Sequence, residues 1–182
     1  MTGPLTDVRP RVAVVVGNPK PASRTLEAAT YLASELSSHA PDLVVDLATL
    51  GAGLLDWADP VVGDLVTQVA SADLVVVATP TYKATYSGLL KLFLDRFAPQ
   101  QGTGLSGIAV PLMLGAGRAH ALAPELTLRP VLTEVGATVP VRGLYVLDSA
   151  HADPTAYDDW LATARPVVTA LLTARLTTGV PA

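Results

Sequence analysis

The chain has no cysteine among its 182 residues, which excludes disulfides, thiolate metal sites and a cysteine nucleophile. Charge is scarce too: 15% of residues are charged, and 12 Lys and Arg stand against 16 Asp and Glu. No basic block occurs, and a net charge of -4 argues against nucleic acid as a partner. No apolar run approaches the roughly eighteen residues of a membrane span. The opening MTGPLTDVRP holds no apolar core of signal-peptide length. A cytoplasmic protein is expected. Repeats, low-complexity tracts and interdomain linkers are also missing, so residues 1–182 are expected to form one domain. Half of the residues are hydrophobic, enough for a sizeable core and for some apolar surface against another subunit.

What is present is a regular alternation. The runs RVAVVV (11–16), LVVDL (43–47), DLVVVAT (73–79), GIAVPLML (107–114) and TVPVRGLYVL (138–147) read as strands. Most are continuously apolar, as strands buried on both faces are. Helical patterns lie between them. In 24–38, Leu26, Ala29, Ala33 and Leu36 share a stripe; the others span 61–71, 88–98, 120–135 and 155–176. Pro166 is expected to kink or divide the last of these. Five strands alternating with five helices predict an α/β, doubly wound parallel sheet in the order 2-1-3-4-5, with helices on both faces. Ligands of such a sheet lie beyond the carboxyl ends of the strands, beside the switch point between strands 1 and 3.

That rule brings three loops together. In GNPKPASRT (17–25), Ser23 is a natural N-cap, with Arg24 and Thr25 in the first turn of the following helix. Free N–H groups, the helix dipole, Lys20, Arg24 and the hydroxyls of Ser23 and Thr25 make a cup for a phosphate. A capped helix with two solvated cations is the other reading of the same residues. In TPTYKATYSG (79–88), Pro80 cuts the strand short, and Tyr82, Lys83 and Tyr86 crowd the crevice as a border for a planar heterocycle. For Tyr86, packing on the next helix is an equal alternative. In GAGRAH (115–120), two glycines let the backbone approach a flat ligand, and His120 is a lone histidine near a helix start. The P-loop pattern is absent and the dinucleotide fingerprint incomplete. No carboxylate pair, Ser-His-Asp order or metal-ligand spacing stands out, so neither a catalytic side chain nor a metal is expected.

These segments are similar to those of the NAD(P)H-dependent FMN reductases of the flavodoxin-like superfamily, above all the reductases of two-component alkanesulfonate monooxygenase systems. GNPKPASRT matches the family's G-S-P-R-x-x-S-R-T. TPTYKATYSGLLKLFLD, VPLMLGAGRAHAL and LRPVLTEVGA follow in the family's order, from residue 11 to about 148. Asn18 and Lys20 stand where the family usually carries Ser and Arg; a lysine cannot fork two phosphate oxygens. The resemblance implies a flavodoxin-like fold and FMN as ligand. It puts the phosphate with Lys20, Ser23, Arg24 and Thr25, and the isoalloxazine against Pro80, Thr81, Tyr82 and Lys83. Gly115 and Gly117 come near the pyrimidine edge, and Asn18 and Ser87 count among the contacts.

The activity implied is hydride transfer from NADPH or NADH to flavin N5, with positioning in place of acid–base catalysis, and delivery of reduced flavin to a partner monooxygenase. Two alternatives stand beside it. One is a tight-FMN reductase of quinones, azo compounds or metal oxyanions. The other is a flavin-binding electron carrier with no nicotinamide reaction. The segment GLLKLFLDRF (88–97) is apolar on nearly all sides and is expected as the interface of a homodimer or homotetramer; coverage by the chain's own C-terminal segment is the alternative. Leu126 stands where the alkanesulfonate-type reductases carry an inserted tyrosine associated with a π-bulge, and Pro124 disturbs the same turn. That interface feature is therefore expected to be lost, and FMN to bind as an exchangeable substrate or loose cofactor.

Overall fold

The computed structural model describes residues 9–178. Both ends of the span 1–182 expected for the domain, including residues 1–8 of the opening segment, lie outside the described residues. Five strands, β1 (Val12–Val16), β2 (Leu43–Asp46), β3 (Leu74–Pro80), β4 (Ile108–Gly115) and β5 (Leu144–Leu147), form one parallel sheet. Its order is β2-β1-β3-β4-β5, as the alternation predicts. In register, Val14 lies between Val44 and Val76, and Val76 in turn faces Val110.

Valine forms these strands because its branched side chain suits a pleated, packed surface. The two-residue period sends Ala13, Val15, Val75 and Val77 to one face, and Val12, Val14, Val16 and Val76 to the other. Helices α1 (Arg24–Ser37) and α5 (Thr155–Thr178) cover the second face through Leu32, Leu36, Tyr157 and Val168. The first face meets α2 (Pro60–Ala70), α3 (Gly88–Leu94) and α4 (Arg129–Glu134) through Val62, Val66, Leu90, Phe93 and Leu132. Three helices start on a side-chain cap: Ser23 accepts from Leu26 N–H at 3.3 Å, Asp59 from Val61 N–H at 2.9 Å, and Ser87 from Leu90 N–H at 3.1 Å. Among the described residues no helix is long and apolar enough to cross a membrane.

Four details depart from the sequence reading. The fifth strand begins at Leu144; Thr138 makes only an isolated bridge to Ile108, because Pro140 has no N–H for the ladder. The expected helix 120–135 is instead a 3₁₀ turn at Arg118–His120, a π turn at Pro124–Leu128, and α4. The π turn thus forms without the tyrosine, and Leu126 within it is 71% exposed. Its cause is Pro130, which cannot donate to the Leu126 carbonyl and whose ring presses on it. The widened turn, with Arg129 N–H bonded to Pro124 C=O, relieves both. Of the two outcomes expected at Pro166, a kink or a division, division of α5 does not occur; Ala162, whose carbonyl the proline leaves free, lies on the solvent side. Finally, the 88–97 segment is largely covered by its own chain. Leu90, Phe93, Leu94 and Phe97 are buried, Phe93 and Phe97 edge to face at 5.5 Å, and Leu92 is exposed. The cover comes from the sheet and the turns at Leu47–Leu54, whereas the described C-terminal helix α5 packs on the other face.

Candidate functional site

The parallel sheet brings the three loops to its carboxyl edge, where Gly17 ties the first two together. Its N–H donates to Ala78 C=O at 2.8 Å, and its carbonyl accepts from Ser87 Oγ at 2.5 Å and Thr79 Oγ1 at 3.3 Å. Ser87 N–H closes the knot on Thr79 Oγ1 at 3.1 Å. Ser87 is thereby buried, its hydroxyl spent on Gly17 and on capping α3. It positions the loops.

Within the first loop, the Asn18 amide donates to Thr25 Oγ1 at 3.0 Å and its carbonyl oxygen accepts Lys20 N–H at 3.0 Å. Asn18 and the buried Thr25 hydroxyl are braces. Ala22 takes a left-handed conformation (φ 48°) that turns the chain into the Ser23 cap, and its N–H donates to Asp46 Oδ2 at 3.0 Å. Ser23 Oγ accepts from Leu26 and keeps its own proton to donate. In the first turn of α1, the N–H groups of Arg24 and Thr25 have no intrahelical acceptor. The Arg24 guanidinium, expected at a phosphate, is ion-paired with Asp148 instead.

The second loop is a two-residue turn closed by Tyr82 N–H to Thr85 C=O at 2.9 Å and the return bond at 3.1 Å. Lys83 (φ 51°) and Ala84 (φ 69°) both take the left-handed region, an arrangement that costs non-glycine residues roughly 1–2 kcal/mol each. Tyr82 is about half exposed at the edge of the turn, whereas Tyr86 packs partly buried against the core. Pro80 ends β3 opposite Leu114. Beside it, Thr81 fixes its backbone on Leu114 C=O at 2.6 Å, but its buried Oγ1 has no hydrogen-bond partner among the described residues. That hydroxyl is suited to a polar ring edge.

In the third loop the two glycines part ways. A Cβ on buried Gly115 would lie 1.8 Å from the Tyr145 hydroxyl, so this glycine makes room for a tyrosine of its own chain. Tyr145 then donates to Gly117 C=O at 2.7 Å. Gly117 itself is open: a Cβ added there would meet nothing within 4 Å, which leaves room for a ligand. A cavity of about 360 Å³ runs from Ala84 past Arg118 and His120 to Leu122 and Leu126.

Electrostatics distinguishes this edge. Most cations have an ion pair or hydrogen bond, as Arg129 has with Glu125 and Arg165 with Glu35. Among the described residues Lys20, Lys83 and Arg118, one on each loop, have neither; the other such cation, Arg142, precedes β5. Two carboxylates that sequence reasoning missed flank the first loop: Asp46, which ends β2, and Asp148, which follows β5. Their signal was position, a lone Asp at the carboxyl end of each edge strand. The turn carrying Asp148 is anchored by the buried Tyr157, whose O–H donates to His151 C=O at 2.7 Å. Burial pushes that phenol up to about 12, so it remains a donor.

These residues fit a flavin nucleotide: unpaired first-turn N–H groups for a phosphate, the lone Thr81 hydroxyl for a ring edge, and Tyr82 and Gly117 for a planar system. No group of three His, Asp or Glu among the described residues is arranged to hold a metal ion. The family model for NADPH-dependent FMN reductases matches residues 10–152. FMN reductase (NADPH) of Escherichia coli (strain K12) is 30% identical over 153 residues, 79% of this chain and 76% of that protein. NADH-dependent FMN reductase SfnF of Pseudomonas fluorescens (strain Pf0-1) is 32% identical, covering 79% of each. Among solved structures, apo NADH:FMN oxidoreductase (EMOB) superposes with a TM-score of 0.75 at 28% identity, over 91% of this chain and 89% of that one.

Proposed function

We propose that this chain, which belongs to the NADPH-dependent FMN reductase family, moves a hydride from NADPH or NADH to FMN. The observation that carries the reading is the carboxyl edge itself: three loops, each with an unpaired cation, around a helix start and the unpartnered Thr81 hydroxyl. The N–H groups of Arg24 and Thr25, the Ser23 hydroxyl and Lys20 hold the phosphate. Arg24 joins them by leaving Asp148. Thr81, with Pro80, binds the ring edge, Tyr82 and Lys83 border the ring, and Gly117 admits it. When bound, FMN supplies the hydride-accepting N5 and the nicotinamide the hydride-donating C4. The cavity beside Arg118 and His120 receives the remainder of the dinucleotide, whose phosphates those side chains face. Orientation is the protein's contribution, so no acid–base residue is required.

In this reading the protein works in the cytoplasm and releases reduced FMN to a flavin-using partner, a monooxygenase in the systems the sequence resembles. It does so as a homodimer or homotetramer. Segment 88–97 adds only Leu92 to a shared surface; one turn on, Arg96 stacks its guanidinium on the exposed Trp57 at 5.2 Å. Leu122, just before the π turn, and Leu126 within it form a second exposed apolar surface.

A single assay tests the activity. Purified protein is expected to consume NADPH or NADH rapidly when FMN is added and negligibly without it. Consumption without added FMN, with another acceptor present, would favour a reductase that keeps its flavin. No consumption in either case would leave only a flavin-binding module.

A further inference from the structure

The carboxyl edge holds an arrangement that a tight phosphate site would avoid. Arg24, the strongest phosphate donor of the first loop, donates its guanidinium N–H to Asp148 Oδ2. The two side chains are 60% and 42% exposed, and an ion pair that open adds little to the fold. Yet the backbone that carries the carboxylate is held in place by contacts that do not involve Arg24. His151 Nδ1 lies 3.0 Å from the Asp148 carbonyl oxygen, and its Nε2 lies 3.0 Å from Glu27 Oε2 on α1. Tyr157 then fixes the His151 carbonyl. On the other side of the loop, Asp46 holds the Ala22 N–H. Two carboxylates, Asp46 on a fixed side chain and Asp148 on an anchored turn, thus flank the place where a dianionic phosphate binds, and the second already occupies its arginine.

We infer that Asp148 is a positioning residue that competes with the FMN phosphate for Arg24 and thereby sets how readily the flavin leaves. The inference rests on the FMN reading given above. Each binding event transfers Arg24 from Asp148 to the phosphate and leaves the carboxylate beside a second anion. Both effects weaken the complex, and among variants of one site such differences fall mainly on the dissociation rate. Departure of FMN gives Arg24 back to Asp148. The device suits a protein whose flavin is exchanged at each turnover.

Asp148→Asn keeps the shape of the side chain and removes its charge. The variant is expected to bind FMN roughly 3- to 10-fold more tightly, the gain of one lost competitor and one lost like charge. The gain should appear as slower FMN release in stopped-flow fluorescence. Riboflavin, which lacks the phosphate, should bind both proteins equally. Glu134→Gln, which removes one negative charge at the far end of α4, should leave FMN affinity unchanged and so controls for net charge. Unchanged or weaker FMN binding by Asp148→Asn would overturn the inference, since Asp148 would then be holding Arg24 ready for the phosphate. That result would leave the phosphate cup intact provided the wild type prefers FMN to riboflavin. Equal affinity of the wild type for the two flavins would overturn both.

Discussion

Replacing Gly17 by Ala should destabilise the protein by about 3 kcal/mol, the upper end of the usual range for overpacking, and remove FMN binding with it. A Cβ at this position would lie 2.3 Å from Leu90 Cβ, 2.9 Å from Leu90 Cα and 3.1 Å from Leu90 N. The obstacle is largely helix backbone, so no change of rotamer relieves it. Relief needs the first loop or α3 to move, and both are knotted to Gly17 through Ala78, Thr79 and Ser87. Moving either opens the first loop against the second, where FMN is to bind. Urea unfolding at equilibrium measures the loss, alongside FMN fluorescence quenching. A variant of near wild-type midpoint and affinity would show that the knot has slack that these distances do not allow.

Arg24→Ala should cost FMN roughly 1.5–3 kcal/mol of binding, the size of a charge-assisted hydrogen bond, and should leave riboflavin almost untouched. Stability should barely change, because the only ion pair lost among the described residues is the exposed one with Asp148. Titration of both flavins against wild type and variant separates the roles. An equal loss for FMN and riboflavin would mean that Arg24 serves the fold through Asp148 and not the phosphate.

Why these two positions differ in legibility is instructive. Arg24 could be singled out because a cation after a strand, beside an N-cap serine, has a local meaning. The order of the sheet was equally readable: continuous Val-rich runs, spaced by helix patterns, leave few topologies. Asp148 was not readable, since it lies 124 residues from Arg24 and only the fold makes them neighbours. The resemblance implied Ser87 and Gly115 as ligand contacts; what the sequence could not show is that each also serves a partner distant in sequence, Gly17 and Tyr145. The π turn had a local signal, Pro130, but the expectation rested on the missing tyrosine at Leu126, so a widened turn was not expected there. The apolar 88–97 segment was only partly legible for a related reason: a sequence cannot tell an apolar face that meets a partner from one that meets its own chain.

The structure of the protein with FMN bound, at a resolution that locates the phosphate, tests the central claim most directly. The account predicts phosphate oxygens within hydrogen-bond distance of the Arg24 and Thr25 N–H groups, Arg24 turned from Asp148 toward them, and the ring edge against Thr81 Oγ1. A flavin lodged elsewhere would contradict it. The clearest such case is the cavity of about 480 Å³ at the opposite, amino edge of the sheet, between Ser71, Thr103, Ser106 and Gly136.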